Sequence, residues 1–195
     1  MEIFESIRRY GAEQVLFCDD PAAGYRGLIA VHSTALGPAL GGTRVKPYAT
    51  DVDALEDALR LSRGMTFKNA IAGIPFGGAK AIVVANERIE DRERLFRAHG
   101  RFVHSLGGRF QTGEDVGTSP ADMEIVRRET PFVKGLTTGN GDPSPWTARG
   151  VFRAIRAAAH RRWGRDDLAG RTVALQGCGN VGHNLARELA AAGAR

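Results

Sequence analysis

Apolar and polar positions change period several times along the chain, and each change marks an element. Residues 2–10, "EIFESIRRY", carry a helical spacing that Gly11 ends. Two strand-like runs follow, "QVLFCDD" and "RGLIAVHS", joined by the turn "PAAG", and together they predict a hairpin. "LGPALGGTR" reads as a glycine-rich loop. A long helix is predicted from about Asp51, capped by Thr50, with Val52, Leu55, Leu59 and Met65 along one side and Lys68 near its C-terminal end. "AKAIVVAN" reads as a strand, "RERLFRAHGRFVHSL" as an amphipathic helix and "GRFQTG" as a short strand ending in "EDVGTSP". Ser119 and Pro120 stand in the order of N-cap and first helical residue. The segment "GLTTGNGDPSP" is rich in turn residues and predicts a boundary. Beyond it come a helix from about Pro145 to Trp163, a strand "RTVALQ", the turn "GCGNVG" and a helix "HNLARELAAAGA".

Strands and helices alternate, so the fold class is α/β. The turn-rich segment divides the chain into residues 1–135 and residues 136–195.

With 195 residues, 43% of them hydrophobic, the chain can fill a real core. No apolar run approaches a membrane span, and the acids in "MEIFESIRRY" argue against a signal peptide, so a cytoplasmic protein is expected. Cys18 and Cys178 stand alone, which points to neither a disulfide framework nor a metal site. The formal charge of +5 does not indicate nucleic acid, because the basic residues are spread through helices, apart from "HRRWGR" at 160–165. Only Lys46, Lys68, Lys80 and Lys134 are lysines; every other cation is arginine. Lysine alone of the two can give up its proton when buried.

Lys80 is the odd residue in "IPFGGAKAIV". A buried ammonium is costly unless something uses it, and Gly77, Gly78 and Ala79 place no bulk between it and a small substrate. Lys68 is a possible cationic neighbour that would lower its pKa. Asp115, at a strand end before a helix, stands where site residues gather in α/β folds, while Glu114 would face the other way. The five histidines share no spacing and read as surface or core residues.

Gly177, Gly179 and Gly182 form G-x-G-x-x-G between a strand-like and a helical run, the context of a dinucleotide turn that includes Cys178, Asn180 and Val181. The first glycine allows the turn, the second admits a pyrophosphate and the third lets helix pack on strand. The acid that would hold the ribose lies about 20 residues beyond this turn in such folds, after the position where Arg195 ends the sequence. One βα pair cannot make a sheet, so the chain is expected to be part of a protein about twice its length.

Taken together, "LGPALGGTR", "SRGMTFKNAIAGIPFGGAK", "TGEDVGTSPADM" and "GCGNVG" resemble the glutamate, leucine, phenylalanine and valine dehydrogenase family over the whole chain. "MEIFESIRRY" and "VLFCDDPAAGYRGLIAVHSTALGPALGG" look most like its leucine members. The resemblance implies oxidative deamination of an L-amino acid with NAD, and usually a homo-oligomer, with residues 1–135 as a substrate-binding and oligomerisation domain and residues 136–195 as the N-terminal part of a Rossmann dinucleotide-binding domain. It implies that Lys68 binds the substrate carboxylate with the backbone of Gly41 and Gly42. Lys80 would activate water, Asp115 would move protons at the substrate nitrogen, and Thr147 would contact the nicotinamide carboxamide. Leu40 stands where glutamate-specific members carry lysine, which favours an apolar substrate, leucine or another branched-chain acid. Gly113 replaces the alanine usual in leucine members, which would widen the pocket and keep phenylalanine open. "GGAKA" is closer to glutamate members than to the "GGGKT" or "GGGKS" of leucine and phenylalanine members. Two other readings are a lysine Schiff-base enzyme acting through Lys80 and a non-catalytic chain that only oligomerises.

Overall fold

The computed structural model describes residues 3–85, 88–137 and 142–195. The contacts between Cα atoms divide the chain into Met1–Gly141 and Asp142–Arg195. That division falls inside the turn-rich segment 135–145. Its residues Thr138–Gly141, Glu2 of the first helix and Asn86 of "AKAIVVAN" lie outside the described residues.

The first unit is a mixed sheet between helices. Helix α1 (Ile3–Tyr10) leads into β1 (Gln14–Asp20) and β2 (Tyr25–Ser33), which pair antiparallel as the sequence predicts. Their turn is fixed locally. Asp20 accepts from the Ala23 amide at 3.1 Å, and Gly24 takes the left-handed conformation at φ 62°. The stretch read as a loop, 36–44, instead contains β3 (Ala39–Leu40) and the start of β4 (Thr43–Lys46). Both lie parallel to β5 (Gly77–Val84), an association no local pattern reveals. Strand β6 (Phe110–Gln111) pairs with β3, and the sheet runs β1-β2-β5-β3-β6 with β4 continuing along β5.

Helix α2 (Asp51–Ile71) covers one face of the sheet. Thr50 caps it, accepting from the Asp53 amide at 3.1 Å. The face it buries keeps Leu55 and Leu59 from the side the sequence suggests but not Val52, which is exposed, and Met65 is half-buried; Ala54, Leu55, Ala58 and Leu59 pack on Leu28, Ala30 and Ile82. Small residues at 54 and 58 let the helix approach the sheet closely. On the opposite face, α3 (Arg92–Ser105) and α4 (Pro120–Arg127) pack on the alternate residues of the same strands, among them Ala79, Ala81 and Val83. The expected cap of α4 is present and completed by Asp122, whose carboxylate accepts from the Ser119 amide at 2.7 Å.

The second unit holds α5 (Ser144–Trp163) and α6 (Asn180–Ala191), packed around Ala148, Phe152, Leu185 and Leu189. Helix α6 begins at Asn180, three residues earlier than the sequence suggests. Residues 171–176 form no ladder strand. They keep strand-like alternation, with Val173 and Leu175 against the core and Thr172, Ala174 and Gln176 exposed. A strand needs a partner, and here Arg195 supplies a single bridge: its amide donates to Arg171 O and its carbonyl accepts from Val173 N, both at 2.7 Å. That exchange is the pattern of a parallel bridge. No described helix is long and apolar enough to cross a membrane.

Candidate functional site

Strands β3 and β4 form one interrupted strand beside β5. Residues 39–40 pair with Gly77 and Gly78, and residues 43–46 pair with Ala81 to Val84. The interruption, Gly41–Gly42, therefore lies opposite Ala79 and Lys80. It has to be glycine on steric grounds: a Cβ on Gly41 would fall 1.7 Å from Ala79 O, and one on Gly42 would fall 2.9 Å from Asp115 Cβ. Backbone, lysine and aspartate meet at this gap.

Lys80 is in the middle of β5, opposite Ala30 of β2, on the face that α2 covers. It is 4% exposed. Its Nζ lies 3.0 Å from Asp115 Oδ1, which supplies the counter-charge a buried ammonium requires. Burial still holds the Lys80 ammonium below the ordinary lysine range. Asp115 opposes that shift, and the charges of Arg44 and Lys68 add to it. Burial works against the Asp115 charge as well, but Lys80 and Arg44 outweigh it and keep this carboxyl below the usual range. Burial thus eases loss of the Lys80 proton relative to a free lysine, and the Asp115 carboxylate stays ionised.

Asp115 is held from its own segment. Its amide donates to Thr118 Oγ1 at 2.8 Å, and that hydroxyl donates to Thr43 O at 3.1 Å. Thr43 and Glu114 form a parallel bridge, so the 112–118 segment extends the sheet edge beside Gly42.

Gly77 and Gly78 do not serve as a cleared approach to Lys80. A Cβ on Gly77 would meet Ser33 O at 1.9 Å, and one on Gly78 would meet Thr66 N of α2 at 2.2 Å. Their smallness packs strand β5 against its neighbours. Asn69 strengthens the same junction by donating to Gly77 O at 2.6 Å.

Lys68 is exposed in the last turn of α2, close enough for its charge to act on Lys80. Leu40 is half-buried and in register with Gly78. Gly113 accepts from the Thr43 amide at 2.8 Å, and a methyl added there would rest on Lys134 O at an ordinary 3.6 Å. Alanine therefore fits at 113, and packing does not demand the glycine.

Two residues the sequence reading missed complete this cluster. Arg44 donates from Nε to Asp115 Oδ2 at 2.7 Å and from NH1 to Asp57 Oδ2 at 3.1 Å. The available signal was the alternation of β4, which buries Thr43 and Val45 and sends Arg44 and Lys46 to the other face.

In the second unit, Gly177 has φ 89°, which only glycine adopts at low cost, and a Cβ on Gly182 would strike Gly177 O at 2.1 Å. Gly179 has nothing within 4 Å of such a Cβ, so protein packing gives no reason for glycine there. The turn leads into the N-terminus of α6, which has no side-chain cap. A backbone cradle open on one side, at a helix N-terminus, fits a dinucleotide pyrophosphate. Cys178, Asn180 and Val181 belong to this turn, with Cys178 and Asn180 exposed. Thr147 is exposed in the first turn of α5, its hydroxyl donating to Pro143 O at 3.1 Å. Among the described residues no group of His, Cys, Asp and Glu could hold a metal ion.

Residues 12–132 match the family described as Glu/Leu/Phe/Val dehydrogenase, dimerisation domain, and residues 139–195 match Glutamate/Leucine/Phenylalanine/Valine dehydrogenase. The chain is 50% identical over its whole length to leucine dehydrogenase of Geobacillus stearothermophilus, of which it covers 54%. It superimposes on the crystal structure of L-tryptophan dehydrogenase from Nostoc punctiforme with a TM-score of 0.74 at 47% identity, over 100% of this chain and 56% of that one. Against the hetero-hexameric glutamate dehydrogenase from Thermus thermophilus the TM-score is 0.75 at 25% identity, over 98% and 54%. The chain spans about half the length of the curated relatives it matches. With both of its segments matching in sequence order, the chain belongs to the glutamate, leucine, phenylalanine and valine dehydrogenase family.

Proposed function

We propose that this protein is an L-amino acid dehydrogenase. It converts leucine or another branched-chain amino acid to the 2-oxo acid and ammonia, reversibly, with NAD. The observation that carries this reading is the buried Lys80 ammonium, paired at 3.0 Å with Asp115 beside the Gly41–Gly42 gap.

In this reading Lys68 and the backbone at Gly41 and Gly42 hold the substrate carboxylate. Lys80, biased toward the neutral amine by burial, takes a proton from the water that attacks the imine carbon. Asp115, kept ionised by Lys80 and Arg44, takes and returns protons at the substrate nitrogen. Leu40 and Gly113 face the substrate side chain. The turn Gly177–Gly182 holds the pyrophosphate and Thr147 the carboxamide of the cofactor. When bound, the nicotinamide accepts the hydride from the substrate Cα.

Leucine is favoured over glutamate because Leu40 offers no charge to a second carboxylate, which would be buried unpaired. An aromatic substrate is the second reading, supported by the 47% identity to a tryptophan dehydrogenase. The first domain assembles copies of the chain into a homo-oligomer, a reading supported by the dimerisation domain matched over 12–132.

The test is leucine-dependent NADH formation by the full-length protein, compared with phenylalanine, tryptophan and glutamate. Faster turnover of leucine supports the proposal. No NADH with any apolar L-amino acid, or trapping of a 2-oxo acid on Lys80 by borohydride, overturns it.

A further inference from the structure

The Lys80–Asp115 pair is one end of a longer chain of charges. Asp115 offers Oδ1 to Lys80 and Oδ2 to Arg44. The Arg44 guanidinium is in turn divided, with NH1 on Asp57. Asp57 is itself crowded: Tyr48 donates to Oδ2 at 2.7 Å, Arg60 NH2 to Oδ1 at 2.7 Å, and Lys46 Nζ lies 3.8 Å away. Burial works against the Asp57 charge, but Tyr48, Arg60 and Arg44 outweigh it and hold its carboxyl below the usual range. Asp57 is on α2 and Arg44 on β4, so the chain of contacts crosses between two elements before it reaches Asp115.

We infer that Arg44, anchored by Asp57, is a positioning residue that fixes the Asp115 carboxylate and sets how strongly Asp115 grips the Lys80 ammonium. Arg44 draws on the same carboxylate as Lys80, so whatever strengthens its hold weakens the lysine's. Asp57 tempers Arg44 by sharing its charge. The planar guanidinium suits this task, since its donors point in fixed directions in one plane, whereas the three donors of an ammonium rotate about a single point charge. The inference rests on the proposed roles of Lys80 and Asp115, and the charged groups acting on Lys80 are Asp115, Arg44 from β4 and Lys68 from α2.

The arrangement makes opposite demands on two substitutions. Arg44→Gln removes the competitor and a nearby cation, so Asp115 grips the ammonium more firmly and Lys80 loses its proton at higher pH. Asp57→Asn leaves Arg44 in place with its charge unshared, so Arg44 claims more of Asp115 and Lys80 loses its proton at lower pH. A merely structural role would loosen the site in both variants and move the titration the same way.

The experiment is a pH titration of the protein labelled with 13C at lysine Cε, followed by NMR, with the Lys80 signal assigned by its loss in Lys80→Arg. It reads the amine directly and needs no turnover, so failure of the proposed reaction and failure of this inference stay distinguishable. The expected result is a midpoint shifted up in Arg44→Gln, down in Asp57→Asn and partly restored in Arg44→Lys. Midpoints that do not move, or that move in the same direction in Arg44→Gln and Asp57→Asn, overturn it. If Arg44→Gln does not fold, an unmoved or raised midpoint in Asp57→Asn alone overturns it.

Discussion

Lys80 and Asp115 form an ion pair at 3.0 Å in which burial holds the ammonium below the ordinary lysine range while Lys80 and Arg44 keep the carboxylate ionised. The lysine comes from the centre of a strand and the aspartate from a segment beyond the next helix, so only the folded sheet edge brings them together. Replacing Lys80 by alanine is expected to lower kcat by about 10² to 10⁴, the usual worth of a positioned base. Lys80→Arg should not restore it, because a guanidinium keeps its proton. Deamination should rise with pH as the amine deprotonates, and this limb should lie below the ordinary lysine range because burial depresses the group. Steady-state rates against pH, with a fluorescence titration of NADH binding as control, check all three. Binding should be nearly unchanged in both variants.

Leu40 is set by its strand register beside Gly78, two residues along β5 from Lys80. A lysine at 40 would provide an ammonium for a substrate side-chain carboxylate and an unfavourable neighbour for an apolar one. Leu40→Lys should therefore raise kcat/KM for glutamate by at least about tenfold and lower that for leucine by a similar factor. The ratio of the two values measures the effect independently of expression or partial loss of fold. An unchanged ratio would remove Leu40 from the side-chain pocket.

What the sequence made legible was local. The β1–β2 hairpin rests on Asp20 and Gly24, and α4 on Ser119 and Pro120, all within a few residues of the structure they fix. Strands β3 and β4 hid inside a glycine-rich run because what makes them strands is β5, far along the chain. The same distance hid the meaning of Gly77 and Gly78, whose constraint comes from Ser33 and Thr66. Lys80 and Asp115 could be singled out by scarcity and placement. Arg44 follows from the alternation of β4 only once that strand is known, and Asp57 is not unusual until the sheet and α2 bring the two within 3.1 Å. Residues 171–176 show the converse: their alternation is that of a strand, and pairing decides whether they become one.

His99 gives a prediction about stability alone. It is fully buried, with Tyr25 Oη 3.0 Å from Nδ1 and Thr43 Oγ1 2.7 Å from Nε2, and Thr43 in turn lies 2.6 Å from Thr112 Oγ1. Burial pushes its pKa down to about 3. Between that value and the ordinary one near 6.5, the unfolded chain binds a proton that the folded chain refuses. Stability from this group is thus complete above about pH 6.5 and is lost on acidification, at a rate approaching about 1.4 kcal/mol per pH unit. Urea denaturation from about pH 5.5 to 6.5, above the range where most carboxyls titrate, should show this slope. His99→Gln should lose most of it while costing about 1–2 kcal/mol at neutral pH through weaker hydrogen bonding.

The glycine turn of the second unit allows fold and binding to be separated by two methyl groups. In Gly182→Ala the added carbon would meet the Gly177 carbonyl oxygen at 2.1 Å, so the turn and helix α6 must shift apart. Overpacking of this kind costs about 1–3 kcal/mol, and dinucleotide affinity should fall with it. In Gly179→Ala the added carbon meets nothing within 4 Å, and the backbone at φ −69° suits any residue. Its stability should change by less than about 0.5 kcal/mol. If the open side of the turn is where a pyrophosphate approaches, that methyl stands in its way, and NADH affinity should drop at least about tenfold with the melting temperature preserved. Thermal melts and NADH titrations of the two variants make the comparison. An alanine at 179 that binds NADH normally would mean that glycine is needed there for neither packing nor cofactor, and the turn would lose its assignment.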